Sequence, residues 1–279
     1  MNSETACGTD IAVVGATGKT GKAVVAALEG RATVRQLSRT ALDHPIDLDT
    51  GEGLKAAFTG CTGVYFIAPN LHPDEPAALR RALEAASEAG VDHVLYHSVA
   101  WPYSPRMPHH LDKARCEDDL RAFASRHEMR WTILQPCAYT QNFESILTGE
   151  STDLVVPYST ESKFSFVSLG DVAEVAARIL LAAEEHHGAT YELGGPEAMS
   201  VGDVVRLTGE MTSRSVAVEQ LDVAQWMHTF GQSLGVDGRA RLGAMFEFYD
   251  DRDFLAGGMV TKALLGRDPT PVRALIRGL

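Results

Sequence analysis

The chain has 279 residues, 45% of them hydrophobic, and a formal net charge of −12 at pH 7. A chain of this length can form one large domain, or a domain with a smaller cap, and its composition is that of a folded protein. The acidic balance argues against a nucleic-acid-binding surface, which needs clustered Lys and Arg.

Cysteine spacing and apolar runs bear on the cellular compartment. The four cysteines, Cys7, Cys61, Cys116 and Cys137, lie far apart and form no CxxC pair, so we expect neither a disulfide framework nor a zinc site. The first ten residues, MNSETACGTD, lack the charged and apolar regions of a signal peptide, and no apolar run reaches the roughly 18 residues of a membrane span. We therefore predict a cytoplasmic protein with reduced thiols and no membrane partner.

The stretch IAVVGATGKTGKAVVAAL, residues 11–28, has the pattern of a strand, a glycine turn and a helix. Gly15 would allow the tight turn, Gly18 the close approach of a pyrophosphate, and Gly21 the close packing of helix and strand. The unpaired amides and the dipole at the helix N-terminus favour phosphate groups. The stretch therefore predicts the first half of a dinucleotide-binding βαβ unit.

Strand and helix patterns alternate along the rest of the chain. Strands are predicted over residues 11–14, 33–37, 63–68, 92–98, 130–134, 164–167 and 191–193, with a further strand ending at 46–48. Helices are predicted over 22–28, 76–89 and 112–127, in a short segment from 54, over 171–187 and from 200, and the remainder is predicted to be largely helical. Residues 144–162 are predicted to form a polar loop. This alternation predicts an α/β fold with a doubly wound parallel sheet.

Two of these helices begin with capping-box spacing. Asp171 precedes Glu174 by three residues, and Ser200 precedes Asp203 by the same offset. A side chain at the first position accepts from the backbone of the second, whose side chain bonds back. We therefore predict that Asp171 and Ser200 are N-caps.

The end of the second predicted strand bears on cofactor choice. It is followed by Ser38 and Arg39, with no carboxylate before Asp43. An acidic residue here binds the ribose 2′-hydroxyl in NAD-specific folds, whereas an Arg accommodates the 2′-phosphate of NADP in fork geometry. The pattern favours NADP(H) over NAD(H), with Lys19 of the glycine loop as a second cation.

Several stretches together resemble the NmrA-like family of atypical short-chain dehydrogenase/reductase proteins. They include VVGATGKTGKAVVAAL, VRQLSR, VYFIAP, MPHHLDKARCEDDLRAF, WTILQPCAYTQNF, FVSLGDVAEVAARIL, YELGGPEAMSVGDVV and LLGRDPT, in order from residue 11 to about residue 271. The resemblance implies a Rossmann domain over residues 1–149 and a smaller C-terminal α+β substrate lobe over 150–279, with segments near 164–195 returning to the first domain. Members bind NADP(H) or NAD(H); some reduce quinones, carbonyls or enones, and others are cofactor-sensing regulators.

The resemblance also implies a cofactor site. Its residues are the loop positions Gly15, Thr17, Gly18, Lys19, Thr20 and Gly21, with Arg39 at the 2′-phosphate, Asp47 and Leu48 at the adenine, Ala68 and Pro69 beside the ribose chain, Lys113 at the nicotinamide ribose, and Pro136 and Ala138 beside the nicotinamide.

The catalytic chemistry is left open by one departure from related dehydrogenases, which carry Tyr-x-x-x-Lys on one helical face. There the lysine lowers the tyrosine pKa so that the phenol can transfer a proton. Here His109 stands four residues before Lys113. His109, with an ordinary pKa near 6.5, could be the general acid that protonates the substrate. Alternatively, the hydride acceptor needs no proton donor held in place by the protein, or no hydride transfer occurs. His109 could equally be a solvated polar residue at a helix start. Ser98 ends its strand and could bond a substrate oxygen.

Residues that follow the strands are predicted to face a substrate cleft at the carboxyl edge of the sheet. They are Asn70, Trp101, Tyr103, Tyr139, Asn142 and Phe143. The loop over 100–108 combines three prolines with two aromatic residues and is predicted to be a semi-rigid lip. The histidine pairs at 109–110 and 186–187 predict no metal site, because adjacent helical residues point apart and no third ligand has suitable spacing.

Three functions fit these patterns. The first is NADPH-dependent reduction of a small carbonyl, enone or quinone, with catalytic roles for Lys113, His109 and Ser98. The second is an NADP(H) sensor whose partner binding follows the redox state of the cofactor. The third is a redox-neutral isomerase, lyase or cyclase on the same fold. Each implies a small-molecule ligand, no nucleic-acid partner, and a monomer or homodimer.

Overall fold

The computed structural model describes residues 9–277. Strands β1 to β10 are Asp10–Val14, Thr33–Leu37, Gly63–Phe66, His93–His97, Arg130–Pro136, Asp153–Val156, Lys163–Phe164, Ala189–Leu193, Met199–Ser200 and Ala217–Gln220. Helices α1 to α10 are Lys19–Leu28, Leu54–Phe58, Glu75–Glu88, Pro108–His127, Glu144–Thr148, Leu169–Leu181, Val201–Thr212, Val223–Thr229, Val236–Asp251 and Gly258–Leu265. Short 3₁₀ helices cover Thr140–Phe143 and Val272–Leu275. The expectation for Cys7 falls outside the described residues.

The central sheet has six strands in the order β2-β1-β3-β4-β5-β8. The first five pair in parallel register, with the β1 residue Ile11 opposite Gly63 of β3. The last pair also runs parallel, since Gly188 donates to the carbonyl of Trp131 before β8 and Cys137 donates to that of Leu193 at its end. The predicted α/β fold with a doubly wound parallel sheet is confirmed.

Helices cover both faces of this sheet, as the continuous apolar strands require. Val14 and Phe66 belong to a buried cluster that also contains apolar residues of α2, α3 and α4. On the opposite face, a Cβ on Gly63 would lie 3.0 Å from Ile11 Cδ1 and 3.7 Å from Leu180 Cδ2 of α6. This close approach explains a glycine in a buried strand.

The chain divides into two compact units. The first unit comprises residues 9–98, 115–134 and 173–190 of the described chain, and the second comprises 99–114, 135–172 and 191–277. Each unit has its own hydrophobic core. The core of the second unit is rich in aromatic residues, including Phe143, Phe164, Phe166, Phe248, Tyr249 and Phe254. The domain boundary at residues 149–150 stays a prediction.

Two predicted elements are wrong. No strand ends at 46–48, because the Asp47 side chain accepts hydrogen bonds from the amides of Asp49 and Thr50 and so folds the chain into a turn. The segment 144–162 is not all loop, since it contains α5 and β6, and β6 pairs with the distant β10. Because β6 and β10 are far apart in the sequence, no pattern of neighbouring residues predicts that they pair.

The two predicted capping boxes have opposite outcomes. Ser200 caps α7, with hydrogen bonds of 3.1 Å in both directions between Ser200 and Asp203, as predicted. The prediction for Asp171 is wrong, because α6 begins two residues earlier and ends at Leu181. Asp171 instead accepts from the amide and hydroxyl of Thr270 and from Arg267. These tertiary partners replace the local cap.

Residues 9–277 contain no helix whose length and apolar composition would let it cross a bilayer. Over the same range, the His, Cys, Asp and Glu side chains form no group of three or more that could hold a metal ion.

Candidate functional site

The loop between β1 and α1 is held by the end of β2. The amides of Gly15 and Ala16 donate hydrogen bonds of 3.1 and 3.2 Å to the carbonyl of Leu37. Gly15 has a φ of +75°, and a Cβ there would lie 2.7 Å from the carbonyl oxygen of Ile67. Glycine alone satisfies both conditions, which gives the tight turn expected after β1.

Gly21 and Gly18 differ in what they contact. Gly21 lies in α1, where a Cβ would overlap the carbonyl oxygen of Gly15 and come within 2.7 Å of Ala16 Cα. Gly18 is the N-cap of α1, with φ −74° and ψ 164°, and its nearest neighbour to an added Cβ is the Gly15 oxygen at 3.4 Å. Any residue could adopt this conformation. The fold therefore requires glycine at 21 but not at 18.

The N-terminus of α1 is suited to an anion. No side chain caps it, and its first turn contains no acidic residue. The remaining loop positions of the predicted cofactor site are the exposed Thr17 and Lys19 and the part-buried Thr20. Amides at a helix N-terminus and the positive end of its dipole attract phosphate groups.

Arg39 stands just beyond β2 with its side chain exposed. Within residues 9–277 its guanidinium forms no hydrogen bond or ion pair. Hydrogen bonds from the amides of Thr50 and Asp49 hold the pKa of Asp47 below its ordinary value, and the charge of Arg39 adds to this effect. A cation and a carboxylate thus flank the loop beyond β2.

The loops that follow β2 and β3 are in contact through the side chains of His72 and Asp49. His72 is buried, and its Nε2 lies 3.3 Å from Oδ1 of Asp49. Leu48 is part-buried, and its carbonyl accepts from Arg81 at 3.2 Å. The other predicted site residues on the loop after β3 are the buried Ala68 and the exposed Pro69 and Asn70.

Ser98 is buried at the end of β4 and donates a 2.6 Å hydrogen bond to Oε1 of Glu117 on α4. Arg121 approaches the other oxygen of Glu117 at 3.1 Å and also donates to Thr190 at 3.0 Å. The Ser98 proton is therefore directed at a carboxylate. Glu117 is not among the residues predicted from the sequence, although its position one helical turn after Lys113 was a signal for it.

His109 and Lys113 both lie on α4, which begins four residues earlier than predicted. Burial, together with the charges of Lys113 and Arg241, lowers the pKa of His109 to about 4. Its Nδ1 is enclosed and has no hydrogen-bond partner among the described residues. The ordinary pKa that made His109 attractive as an acid is therefore not retained.

Arg241 of α9 is a further charged group beside His109. Its guanidinium bonds the carboxylate of Asp112 and lies 2.7 Å from that of Asp237. Only 18% of the side chain is exposed. Arg241 is not among the residues predicted from the sequence, because Asp112 is 129 residues away and the pairing has no local signature.

The predicted lip is anchored by histidine and aromatic contacts. His110 donates from Nδ1 to the carbonyl of Trp101 at 3.3 Å, and burial lowers the His110 pKa to about 3. Trp101 has a φ of +54°, which is uncommon for a bulky residue. Its ring packs edge-on against Phe254 at 5.4 Å and Phe248 at 6.2 Å. These contacts join the loop to α4 and to the aromatic core of the second unit, and the semi-rigid lip stays a prediction.

The other residues predicted for the substrate or nicotinamide site are in different environments. Tyr103 is 71% exposed, whereas Phe143 is 2% exposed and packs on Phe166 with ring centroids 5.0 Å apart. Asn142 is exposed, Pro136 is buried, and Ala138 and Tyr139 are part-buried. The structure therefore brings together His109, Asp112, Lys113 and Arg241 in the second unit, and the glycine loop with the ends of β2 and β3 in the first.

The sequence model of the NmrA-like family matches residues 8–263, which confirms the resemblance drawn from the motifs. A (4-alkanoyl-5-oxo-2,5-dihydrofuran-3-yl)methyl phosphate reductase from Streptomyces griseus is 26% identical over 224 residues, 76% of this chain and 77% of that protein. The uncharacterized oxidoreductase YesF from Bacillus subtilis is 28% identical over 108 residues, 38% of this chain and 37% of YesF. The match to YesF thus spans little more than a third of its length.

Solved structures share the fold over almost the whole chain. Triphenylmethane reductase from Citrobacter sp., complexed with NADP(H), superposes with a TM-score of 0.78 at 20% identity, covering 96% of this chain and 98% of that one. NADPH-dependent quinone oxidoreductase QOR2 from Escherichia coli, complexed with NADPH, gives 0.79 at 19%, covering 95% and 98%. MoeE5 in complex with UDP-glucose and NAD gives 0.73 at 19%, covering 96% of each chain.

Proposed function

The chain belongs to the NmrA-like family, and from that premise we propose that it is an NADP(H)-dependent oxidoreductase that reduces a small carbonyl, enone or quinone. Gly18 carries the proposal. Protein packing does not demand a glycine at this N-cap, whereas a pyrophosphate lying against the first turn of α1 does. The first turn of α1 has no side-chain cap and no acidic residue, which suits the same anion.

The residues around this loop fit an NADP(H) molecule. The exposed guanidinium of Arg39 has no protein partner in the described chain, so its fork is available to a 2′-phosphate. When bound, the cofactor would supply the hydride. The adenine contacts of Asp47 and Leu48, the ribose contact of Lys113 and the other positions assigned by resemblance stay predictions.

The protonation state of His109 bears on which class of substrate can accept the hydride. With a pKa of about 4, its imidazole is neutral at pH 7 in nearly every molecule. Because the Ser98 hydroxyl is bonded to Glu117, neither predicted group is poised as a strong proton donor. Quinones and enones can take their proton from water after reduction, and we therefore favour them over simple ketones.

The names of the similar proteins support this proposal. Two of the matching structures are reductases or oxidoreductases complexed with NADP(H), and the Streptomyces griseus relative is a reductase. MoeE5, which has the same fold, is complexed with NAD. The preference for NADP(H) in this chain therefore rests on Arg39.

The second candidate is an NADP(H) sensor without turnover. It is favoured by the same absence of a poised acid, since the pKa of His109 is low and Ser98 already donates to a buried carboxylate. A sensor would bind the nucleotide as tightly as a reductase but would leave a quinone acceptor unreduced.

Steady-state oxidation of NADPH by a panel of quinones and enones tests the proposal, with Gly18→Ala as the decisive variant. A methyl group at position 18 has room within the protein, so the free energy of unfolding should change by less than about 1 kcal/mol. The same methyl would obstruct the pyrophosphate, and we expect kcat/KM for NADPH to fall by about tenfold or more.

Gly235→Ala is the matched control. Gly235 is the N-cap of α9, has φ −63° and ψ 170°, and has no atom near an added Cβ. We expect wild-type turnover from this variant. Equal activity of the two variants would refute the pyrophosphate site, whereas tight NADPH binding with no turnover on any acceptor would favour the sensor.

A further inference from the structure

Two tyrosines stand side by side in the aromatic core of the second unit. Tyr158 follows β6 and Tyr249 lies on α9, with ring centroids 5.6 Å apart and planes at 77°. Phe164 packs against both rings, at 5.7 Å from Tyr158 and 5.0 Å from Tyr249. Phe246 and Phe254 complete the surroundings at 5.8 and 5.3 Å. Both rings are thus held by apolar contacts.

The hydroxyls of these tyrosines have no hydrogen-bond partner in residues 9–277, although Tyr249 is only 7% exposed. Other buried tyrosines of the chain are satisfied. The Tyr65 hydroxyl lies 2.6 Å from Nδ1 of His97, and Tyr96 donates to Glu75 at 2.8 Å. Since buried phenols nearly always find a partner, the pair at 158 and 249 needs an explanation.

Neither phenol oxygen is sealed inside the protein. The fully enclosed side-chain polar atoms that lack a partner in the described chain belong to His93, His109, Thr140 and Arg214. The oxygens of Tyr158 and Tyr249 therefore reach space that a water molecule can contact. Phenylalanine at both positions would keep every ring contact and avoid desolvating a hydroxyl.

Both phenols are protonated at neutral pH. Burial raises the pKa of Tyr158 to about 12. Burial also raises the pKa of Tyr249 well above its ordinary value, with further contributions from Cys137 and Tyr158. Each is therefore a hydrogen-bond donor and not an anion.

We propose that Tyr158 and Tyr249, whose rings pack against each other, form a donor pair that binds a carbonyl oxygen of the substrate. This inference rests on the proposed reductase function and adds the residues that recognise the substrate. The pair favours a flat, conjugated carbonyl compound over a charged one, because its two hydroxyls are neutral donors surrounded by apolar side chains. Such donors strengthen as negative charge builds up on the oxygen they hold.

Calorimetric titration with duroquinone tests the donor pair in wild type, Tyr158→Phe, Tyr249→Phe and the double variant. Loss of one neutral hydrogen bond should raise the Kd about 3- to 10-fold, and loss of both about 10- to 100-fold. p-Xylene, which has the ring without carbonyls, should bind wild type and variants equally. Tyr191→Phe on β8 is the control and should leave both Kd values unchanged.

The variants should fold, because each loses only a hydroxyl that has no partner in the described chain, and their free energies of unfolding should be unchanged or higher. An unchanged duroquinone Kd in the double variant, or no duroquinone binding by wild type, would overturn the donor pair. The Kd for NADPH, measured on the same proteins, reports on the proposed function separately. Failure to bind NADPH would overturn the proposed reductase function, even if the Kd for duroquinone still differed between wild type and the Tyr→Phe variants.

Discussion

At the scale of single residues, the three glycines after β1 have different physical origins. Gly15 is required by its positive φ, and Gly21 by the backbone that lies where its Cβ would be. Gly18 is required by neither, and the proposed pyrophosphate would account for it. Arg39 resembles Gly18 in that no contact within the protein accounts for it, since it is a cation with no ion pair in the part of the chain that the structure describes.

Replacing Arg39 by Ala should weaken NADPH binding about 10- to 100-fold, because a charge-assisted hydrogen bond to the 2′-phosphate contributes about 1.5–3 kcal/mol. NADH lacks that phosphate, and its Kd should change less than about twofold. Fluorescence titration of both nucleotides measures the difference.

The control for this variant is Arg239→Ala. Arg239 is an exposed arginine of α9 with no side-chain ion pair among the described residues. It should affect neither nucleotide. Equal weakening of NADPH and NADH by Arg39→Ala would show that the guanidinium does not read the 2′-phosphate.

At the scale of elements, α6 and α7 show how the same sequence pattern can serve two purposes. In α7, Asp203 closes a local capping box with Ser200. In α6, Asp171 is 1% exposed and holds the segment around Thr270 through three hydrogen bonds of 2.6–2.9 Å. The first contact stabilises a helix end, and the second connects α6 to a segment almost a hundred residues away.

Asp171→Ala should therefore lower the free energy of unfolding by about 3 kcal/mol, because it removes three hydrogen bonds that a buried carboxylate accepts. Asp203→Ala, the matched change in a true capping box, should cost about 1 kcal/mol. Urea denaturation gives both values. If the two variants are equally destabilised, Asp171 does not hold the Thr270 segment.

At the scale of the whole molecule, each unit contains a deeply buried neutral histidine. His93 in the first unit is 1% exposed, and its Nε2 lies 3.0 Å from the Thr132 hydroxyl. His110 in the second is 2% exposed. Burial lowers the pKa of each to about 3. The unfolded chain takes up protons near pH 6.5, while the folded chain does not.

Stability should therefore fall as pH decreases from 6.5 toward 3, because protons bind the unfolded state first. Between pH 7 and pH 5 the loss should be about 2 kcal/mol for each of the two histidines. Urea unfolding at the two pH values measures it. His93→Gln should reduce the difference by about 2 kcal/mol, even if it lowers stability at both pH values. An unchanged difference would mean that His93 already takes up its proton in the folded state.

Local patterns predicted the central sheet and most of the helices around it. The predicted strand at residues 33–37 and the short helix from residue 54 match β2 and α2, and the glycine spacing located the turn after β1. Such features depend on neighbours a few residues apart, which the sequence displays directly. The strand expected to end at 46–48 failed because the turn-forming side chain of Asp47 outweighed its apolar neighbours.

The chemistry of the candidate site was decided by tertiary structure. The type of residue at 109 was visible in the sequence, but its low pKa depends on burial and on Arg241, more than a hundred residues away. The partners of Asp171 and the unpaired hydroxyls of Tyr158 and Tyr249 are likewise products of long-range packing. The sequence by itself determined most of the elements and their order, because propensity acts locally. Charge state and hydrogen bonding depend on what surrounds a side chain, and only the folded chain sets those surroundings.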